Sequence, residues 1–152
     1  MNPLQPTELE KGNAMQAQDV MSRPVMTLRP HLSARAAATL LVEHCVSAAP
    51  VVTAEGELRG MVGEIDLLRV LPLTAGTETG SAPSVDTVMS ASPVTVRPTD
   101  DLGDVVAALL RGGFRSVPVV LGGHLVGIIS RSDVMRFLTR PVPTAGTASV
   151  RS

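Results

Sequence analysis

The chain has 152 residues, of which 44% are hydrophobic, and its formal net charge is −1 at pH 7. This length suits one or two small domains with a real core, whereas the balanced charge and the absence of Trp and Tyr argue against a nucleic-acid-binding surface. The sequence has no run of about 18 apolar residues and no basic-then-apolar start, so we expect neither a membrane span nor a signal peptide.

The chain opens with a polar segment, residues 1–16, that lacks periodicity and is predicted to be a disordered tail. A repeat follows, because VMSRPVMTLRP, from Val20, matches VMSASPVTVRP, from Val88, at a spacing of 68 residues. A one-residue deletion changes the spacing to 67 further on, where GMVGEID matches GIISRSD. The predicted divisions are a first domain, a polar linker, a second domain and a disordered tail, at residues 17–72, 73–84, 85–140 and 141–152.

Each copy has the pattern of a β-α-β-β-α unit, in which an extended piece, an amphipathic helix, a hairpin and a closing helix follow one another. In copy one, the first four elements are predicted at Val25–Leu28, Ser33–Cys45, Pro50–Thr53 and Leu58–Val62. In copy two, they are predicted at Val94–Val96, Asp101–Arg111, Val117–Leu121 and Leu125–Ile129. One such unit of about 55 residues buries too little surface to be stable alone. We therefore predict an α+β fold in which the two copies pack as a pseudo-two-fold pair.

Apolar residues at helical spacing predict the buried helix faces. These faces are Ala34, Ala37, Ala38, Leu41, Val42 and Cys45 in copy one, and Leu102, Val105, Val106, Leu109 and Leu110 in copy two. Cys45 is expected in the core, because free cysteine is among the most buried residue types. Four methionines are expected to fill the core in the same way, namely Met21, Met61, Met89 and Met135. A single cysteine cannot form an internal disulfide, which fits a reducing cytoplasm.

The segment Leu125–Leu138 combines a strand, a tight turn and a helix. Gly127 lies within the strand, where glycine often marks the close approach of another backbone or a ligand. Ser130 and Asp133 stand at the start of the helix, where a hydroxyl and backbone N–H groups attract phosphate and a carboxylate can accept ribose hydroxyls. The same Ser-x-x-Asp spacing also describes a capping box, in which each side chain satisfies a backbone N–H of the helix. The stretch alone leaves both interpretations open.

The duplicated pattern, with VMS, SVPVV and GIISRSD, resembles a pair of cystathionine-β-synthase (CBS) domains, also called a Bateman module. The resemblance covers roughly Ala17 to Arg140. It implies a regulatory module that binds an adenosine-containing ligand, such as AMP, ADP, ATP or S-adenosylmethionine, in clefts between the two copies. It also implies pseudo-two-fold symmetry and a homodimer. We expect no required cofactor, with the adenosine nucleotide as the ligand.

The family's site residues carry over onto matching positions of copy two. The resemblance implies that Ser130 contacts phosphate and Asp133 holds the ribose, with Arg115 on the phosphate and Arg131 as a weaker phosphate ligand. The adenine is expected against backbone near two strands, at Thr95, Val96, Ser116 and Val117.

Copy one departs from this pattern. Gly63 replaces the hydroxyl residue, Glu64 replaces Arg131 and Ser47 replaces Arg115, although Asp66 remains. A Glu64 carboxylate repels phosphate by about 1 kcal/mol at about 4 Å in water-like surroundings. We therefore expect one competent phosphate site, in copy two. The copy-one cleft is expected to be empty or to take a less anionic ligand.

The leading hypothesis is an adenine-nucleotide sensor that signals to an unidentified regulated protein by conformational or oligomeric change. The alternative is a ligand-independent structural or adaptor homodimer, in which Ser130 and Asp133 only cap a helix. An enzyme is not expected, because the sequence offers no catalytic constellation. His31, His44 and His124 are scattered without metal-ligand spacing. Neither nucleic acid nor membrane is an expected partner.

Overall fold

Each copy is built around an antiparallel hairpin in the computed structural model, which describes residues 15–73 and 82–141. Most of the two predicted disordered tails and most of the predicted linker lie outside these residues. The last two residues of the first tail, Met15 and Gln16, are ordered against copy two, since Gln16 bridges to Asp101 and the Leu102 N–H donates to the Met15 carbonyl over 3.0 Å. The elements of the first copy are α1 (Ala17–Val20), α2 (Ala34–Glu43), β1 (Ala48–Val52), β2 (Leu58–Gly63) and α3 (Glu64–Leu68). Those of the second are α4 (Val85–Val88), β3 (Ser90–Ala91), α5 (Leu102–Arg111), β4 (Ser116–Leu121), β5 (His124–Ser130) and α6 (Arg131–Leu138).

The hairpins have matching registers in the two copies. In the first, β1 pairs with β2 so that Ala48 lies opposite Gly63. In the second, β4 pairs with β5 so that Ser116 lies opposite Ser130. The predicted extended piece of each copy is reduced to one parallel bridge, from Leu28 to Val51 and from Val96 to Val119. The predicted α+β fold of two repeats is therefore confirmed, with the first strand of each repeat shortened.

The short helix that begins each copy packs on the other copy. In α1, Ala17 is fully buried in the core of copy two, and its N–H donates to the Asp100 carbonyl over 2.7 Å. In α4, Val85 is fully buried in the core of copy one, and its N–H donates to the Leu32 carbonyl over 2.7 Å. Each copy thus completes the hydrophobic core of its neighbour, which makes the pair one folding unit.

Two glycines allow this exchange. A Cβ on Gly60 would lie 2.6 Å from the Ser90 carbonyl oxygen and 2.7 Å from the Met89 sulfur. A Cβ on Gly127 would overlap the Met21 sulfur. The predicted close approach at Gly127 is therefore present, but the nearest atoms belong to the Met21 side chain and not to another backbone or a ligand.

The hairpin turns join the two sheets at their tips. The Leu58 N–H donates to the Gly123 carbonyl over 3.0 Å, and the Leu125 N–H donates to the Gly56 carbonyl over 3.0 Å. These reciprocal bonds fix the relative position of the two hairpins at the end of each strand pair remote from α3 and α6.

The prediction that Cys45 lies in the core is wrong. Helix α2 ends at Glu43, and Cys45 is exposed with a φ of 55°. The Val46 N–H donates to the Leu41 carbonyl over 3.1 Å and the Cys45 N–H to the Val42 carbonyl over 3.2 Å, which is a Schellman motif. Cys45 holds the left-handed position that glycine usually takes, so its side chain turns away from the helix face.

Three other expected core residues are exposed. Val42 is 76% exposed, Leu110 is 81% exposed and Met135 is 58% exposed. Each helix contacts its sheet through a narrower face than its apolar stripe, so the outer edge of the stripe faces solvent. Met61 is fully buried as predicted, and Met21 and Met89 are partly buried against the cores. Among the described residues, no helix is long and apolar enough to cross a membrane.

We predict that Gly60→Ala lowers the free energy of unfolding by about 1–3 kcal/mol, because the new methyl group has to displace the backbone at Ser90. Chemical denaturation measures this loss. Gly113→Ala is the matched control, since a Cβ at Gly113 has no neighbour within 4 Å, and it is expected to change stability by less than about 0.5 kcal/mol. Equal stability of the Gly60 variant and the wild type would contradict the close contact.

Candidate functional site

The two Asp-containing motifs start at equivalent places, at the end of each hairpin where its closing helix begins. The Glu64 N–H donates to the Ser47 carbonyl over 2.9 Å, and the Arg131 N–H donates to the Arg115 carbonyl over 2.8 Å. Each motif therefore lies directly beside the residue that enters the first hairpin strand. The backbone is the same in both copies, and the side chains make the difference.

In copy two, the motif forms a complete capping box. The Ser130 hydroxyl accepts from the Asp133 N–H over 3.0 Å, and the Asp133 carboxylate accepts from the Ser130 N–H over 2.8 Å. The other carboxylate oxygen of Asp133 accepts from the Arg136 guanidinium over 2.5 Å. Both oxygens of Asp133 are therefore engaged within the chain. Asp133 lines a cavity of about 410 Å³ together with Asp19, Val20, Ser22, Arg136, Phe137 and Arg140.

In copy one, the corresponding carboxylate is less engaged. Asp66 accepts from the Gly63 N–H over 2.8 Å through one oxygen. In residues 15–73 and 82–141, its other oxygen has no hydrogen-bond or ion-pair partner. Asp66 is half-buried and lines a cavity of about 540 Å³. The cavity is therefore larger than the one beside Asp133, and its carboxylate has an oxygen available to a ligand.

The cavity beside Asp66, called the Asp66 cleft below, is built from both copies. Copy one contributes Ser47, Ala48, Met61 and the start of α3. Copy two contributes Ser90–Val94, the end of α5 and the loop that leads into β4. A molecule bound in this cleft contacts both halves of the pair.

Three arginines line the Asp66 cleft, namely Arg69 after α3, Arg111 at the end of α5 and Arg115 before β4. All three are exposed, and none forms an ion pair with another described residue. The equivalent positions of the other copy hold Arg136, Glu43 and Ser47. Arg136 is already paired with Asp133, whereas the Asp66 cleft holds three arginines against the two carboxylates of Glu64 and Asp66.

Phe114 occupies the space in front of Gly63. A Cβ on Gly63 would lie 3.0 Å from Phe114 Cε1 and 3.2 Å from Cδ1. The glycine that replaces the motif's hydroxyl residue thus makes room for an aromatic ring from the other copy. The position equivalent to Phe114 in copy one is Val46, so this ring is present at one motif alone.

The sequence-predicted site residues divide between the two motifs. Asp66, Arg115, Ser116 and Val117 line the Asp66 cleft. Ser130, Asp133 and the exposed Arg131 stand at the start of α6. Thr95 is exposed, and Val96 is buried with its N–H and carbonyl both bonded to the copy-two hairpin. The structure therefore places Arg115 with Asp66 and separates its side chain from the Asp133 cavity.

Sequence reasoning missed Arg69, Arg111 and Phe114. The repeat alignment distinguishes two of them, because Arg111 aligns with Glu43 and Phe114 aligns with Val46. These differences indicate a binding role only when it is known that copy two lines the cleft of copy one. Among the described residues, no group of three or more His, Cys, Asp or Glu side chains is placed to hold a metal ion.

Comparison with known proteins places both copies in one family. The family model described as CBS domain matches residues 17–73 and 85–140. The CBS domain-containing protein YhcV of Bacillus subtilis is 34% identical over 116 residues, covering 76% of this chain and 80% of YhcV. The uncharacterized protein MJ1225 of Methanocaldococcus jannaschii is 29% identical over 120 residues, which span 79% of this chain but 41% of MJ1225.

A solved structure with the same architecture contains a nucleotide. The crystal structure of CBSX2, a protein of Arabidopsis thaliana, in complex with AMP has a TM-score of 0.70 and is 32% identical to this chain. The match covers 82% of this chain and 96% of the CBSX2 chain. With family matches in both copies and this shared fold, the chain belongs to the CBS-domain family as a tandem CBS pair.

Proposed function

We propose that the chain is a regulatory module that binds an adenosine-containing ligand in the Asp66 cleft. One observation carries the proposal: a carboxylate oxygen of Asp66 without a partner in the described part of the chain shares a 540 Å³ cavity with three unpaired arginines. An anionic ligand that also has hydroxyl groups complements this set of side chains. The AMP complex of CBSX2 supports adenosine as the ligand class.

The ribose is proposed to bind Asp66. A carboxylate accepts hydroxyl hydrogen bonds at about twice the strength of neutral pairs, and Asp66 lines the cavity with one oxygen that has no partner among the described residues. The adenine is proposed to lie on the apolar and backbone wall formed by Ala48, Ser116, Val117 and Pro118. Ser116 and Val117 thus keep the role implied by the family resemblance, whereas Thr95 and Val96 have no place in this cleft.

Phosphate binding is proposed to rest on the arginines. The expected repulsion of phosphate by Glu64 was based on the charge of that one carboxylate. The same cleft holds three guanidinium groups, and arginine binds phosphate through two parallel hydrogen bonds. Arg115 thus keeps its proposed role, now in the cleft of copy one.

The Asp133 cavity is proposed as a weaker second site. A ribose there has to displace Arg136 from Asp133, whereas the Ser130 hydroxyl, which accepts from the Asp133 N–H, keeps its own O–H for a phosphate. Arg131 is exposed beside this motif. Occupancy of this site is expected at higher ligand concentrations than occupancy of the Asp66 cleft.

A regulatory role follows from how the cleft is built. A ligand that contacts both copies favours one packing of the pair over another, which is the differential interaction that a conformational signal requires. A regulated protein is proposed to detect that change. A catalytic role is not proposed, and the described residues hold no group of His, Cys, Asp or Glu side chains placed to bind a metal ion. The cytoplasm is proposed as the compartment, on the strength of the exposed free thiol of Cys45.

A homodimer is proposed because both copies expose large apolar side chains at equivalent positions. Val42 and Leu110 are equivalent residues on α2 and α5, and Leu68 and Met135 are equivalent residues on α3 and α6. A second copy related by a two-fold axis covers such repeated patches with matching ones. The same patches support the alternative function, a ligand-independent adaptor dimer, which is also favoured by the complete capping box at Ser130.

We predict that an adenosine ligand raises the melting temperature and that Asp66→Ala removes the increase. Ligand at about 100 times its dissociation constant adds about 2.7 kcal/mol to the free energy of unfolding. Thermal denaturation with AMP, ADP, ATP and S-adenosylmethionine measures the shift relative to each variant without ligand. Asp133→Ala is the matched control, because it removes the equivalent capping contact and is expected to keep most of the shift.

Loss of the shift in Asp133→Ala with retention in Asp66→Ala would overturn the choice of cleft. A wild type that responds to none of the four ligands would favour the adaptor dimer.

We predict that Val42→Lys combined with Leu110→Lys converts the dimer to a monomer, because buried lysines at both patches lack partners. Light scattering after size-exclusion chromatography measures the mass. Leu121→Lys is the control, since Leu121 is 60% exposed but lies at the hairpin tip, and this variant is expected to stay dimeric. A monomeric wild type, or a double variant that stays dimeric, would refute the assigned interface.

A further inference from the structure

We infer that the Asp66 cleft selects its ligand by the length of the phosphate chain, so that it binds adenosine di- or triphosphate more tightly than AMP. This inference rests on the proposed function and adds the specificity of that site. Arg111 and Arg69 are its new specificity-determining residues, and Phe114 sets the direction of the phosphate chain.

A phosphate cannot occupy the space in front of Gly63 as it could the equivalent space beside Ser130. In copy two, Ser130 puts a hydroxyl at the start of the motif. In copy one, Gly63 has no side chain, and the Phe114 ring stands where one would project, 3.0 Å from an ideal Cβ. A phosphate at this point meets an apolar ring in place of a hydroxyl donor. The phosphate chain therefore has to extend past the motif.

Three arginines line the part of the cleft that lies beyond the Asp66 motif. Arg69, Arg111 and Arg115 come from three separate elements and line the same cavity, and none has an ion-pair partner among the described residues. A monophosphate carries about two negative charges at pH 7, and longer chains carry more and offer more oxygens. Three guanidinium groups provide more donors than one phosphate can use, so a second and a third phosphate each gain contacts.

The residues that align with the three arginines in the repeat provide no equivalent set of unpaired arginines. The positions equivalent to Arg111 and Arg115 are Glu43 and Ser47, and Arg136, the equivalent of Arg69, is paired with Asp133. The three arginines, one from copy one and two from copy two, thus meet at one of the two motifs, although the backbone is repeated in both. A general need for solubility or surface charge does not explain why they meet at one of two equivalent motifs.

The test is isothermal titration calorimetry of the full chain with adenosine, AMP, ADP and ATP in magnesium-free buffer. A hydrogen bond to a charged group strengthens binding by about tenfold or more, so affinity is expected to rise about tenfold or more from AMP to ADP or ATP. The variant Arg111→Glu with Arg115→Ser introduces the residues of the other copy. It is expected to reduce the affinity for ADP and ATP to that for AMP or below, and to leave adenosine binding unchanged.

Two controls keep the result interpretable. Arg59→Glu makes the same charge reversal at an exposed arginine of β2 that does not line the cavity, and it is expected to retain the preference for ATP. Arg111→Gln removes the charge without adding a carboxylate at the end of α5, and it is expected to lose about tenfold in ATP affinity.

The possible results distinguish a failure of the phosphate-chain preference from a failure of the adenosine site. Equal affinities of the wild type for AMP, ADP and ATP would overturn the phosphate-chain inference and leave the adenosine site standing. A preference for ATP that survives in Arg111→Glu with Arg115→Ser would overturn the assignment to these arginines. Failure of all four compounds to bind would overturn the proposed function itself.

Discussion

The close contact of Gly60 with Met89 and Ser90, and of Gly127 with Met21, is the constraint on which the rest of the structure depends. It lets the segment that begins each copy cross to the other hairpin, where Ala17 and Val85 become core residues. Neither half is then a complete domain. The Asp66 cleft exists because of this exchange, since Ser90–Val94 reaches the copy-one motif along the segment that follows α4.

A duplicated backbone has produced two clefts of different chemistry. At the copy-two motif, Ser130 and Asp133 cap the helix and Arg136 pairs with Asp133, which stabilises the helix and leaves neither carboxylate oxygen of Asp133 without a partner. At the copy-one motif, Asp66 keeps the contact with the Gly63 N–H, but the capping hydroxyl is missing and the second carboxylate oxygen has no partner among the described residues. The motif that matches the family pattern better is thus the one whose groups are better satisfied within the protein, and the degenerate motif has the groups available for binding.

The repeat, the fold class and the close approach at Gly127 were predictable, because identical residues at a fixed spacing and a glycine inside a strand are local signals. The exposure of Cys45 was not, because the left-handed end of α2 usually carries glycine and the sequence has cysteine there. The exposure of Val42 and Leu110 was not, because periodicity defines an apolar stripe but not how much of it the sheet covers. The assignment of each site residue to the Asp66 cleft or to the Asp133 motif was not predictable either. It depends on which copy lines which cleft, and only the packing of the two copies shows this.

A crystal structure of the protein grown with ATP shows directly which cleft binds the nucleotide. We expect density for the nucleotide in the Asp66 cleft, with the ribose hydroxyls on the free oxygen of Asp66 and the phosphates among Arg69, Arg111 and Arg115. The Asp133–Arg136 ion pair is predicted to remain intact in the same crystal. A nucleotide bound at Ser130 and Asp133, with the Asp66 cleft vacant, would contradict the account.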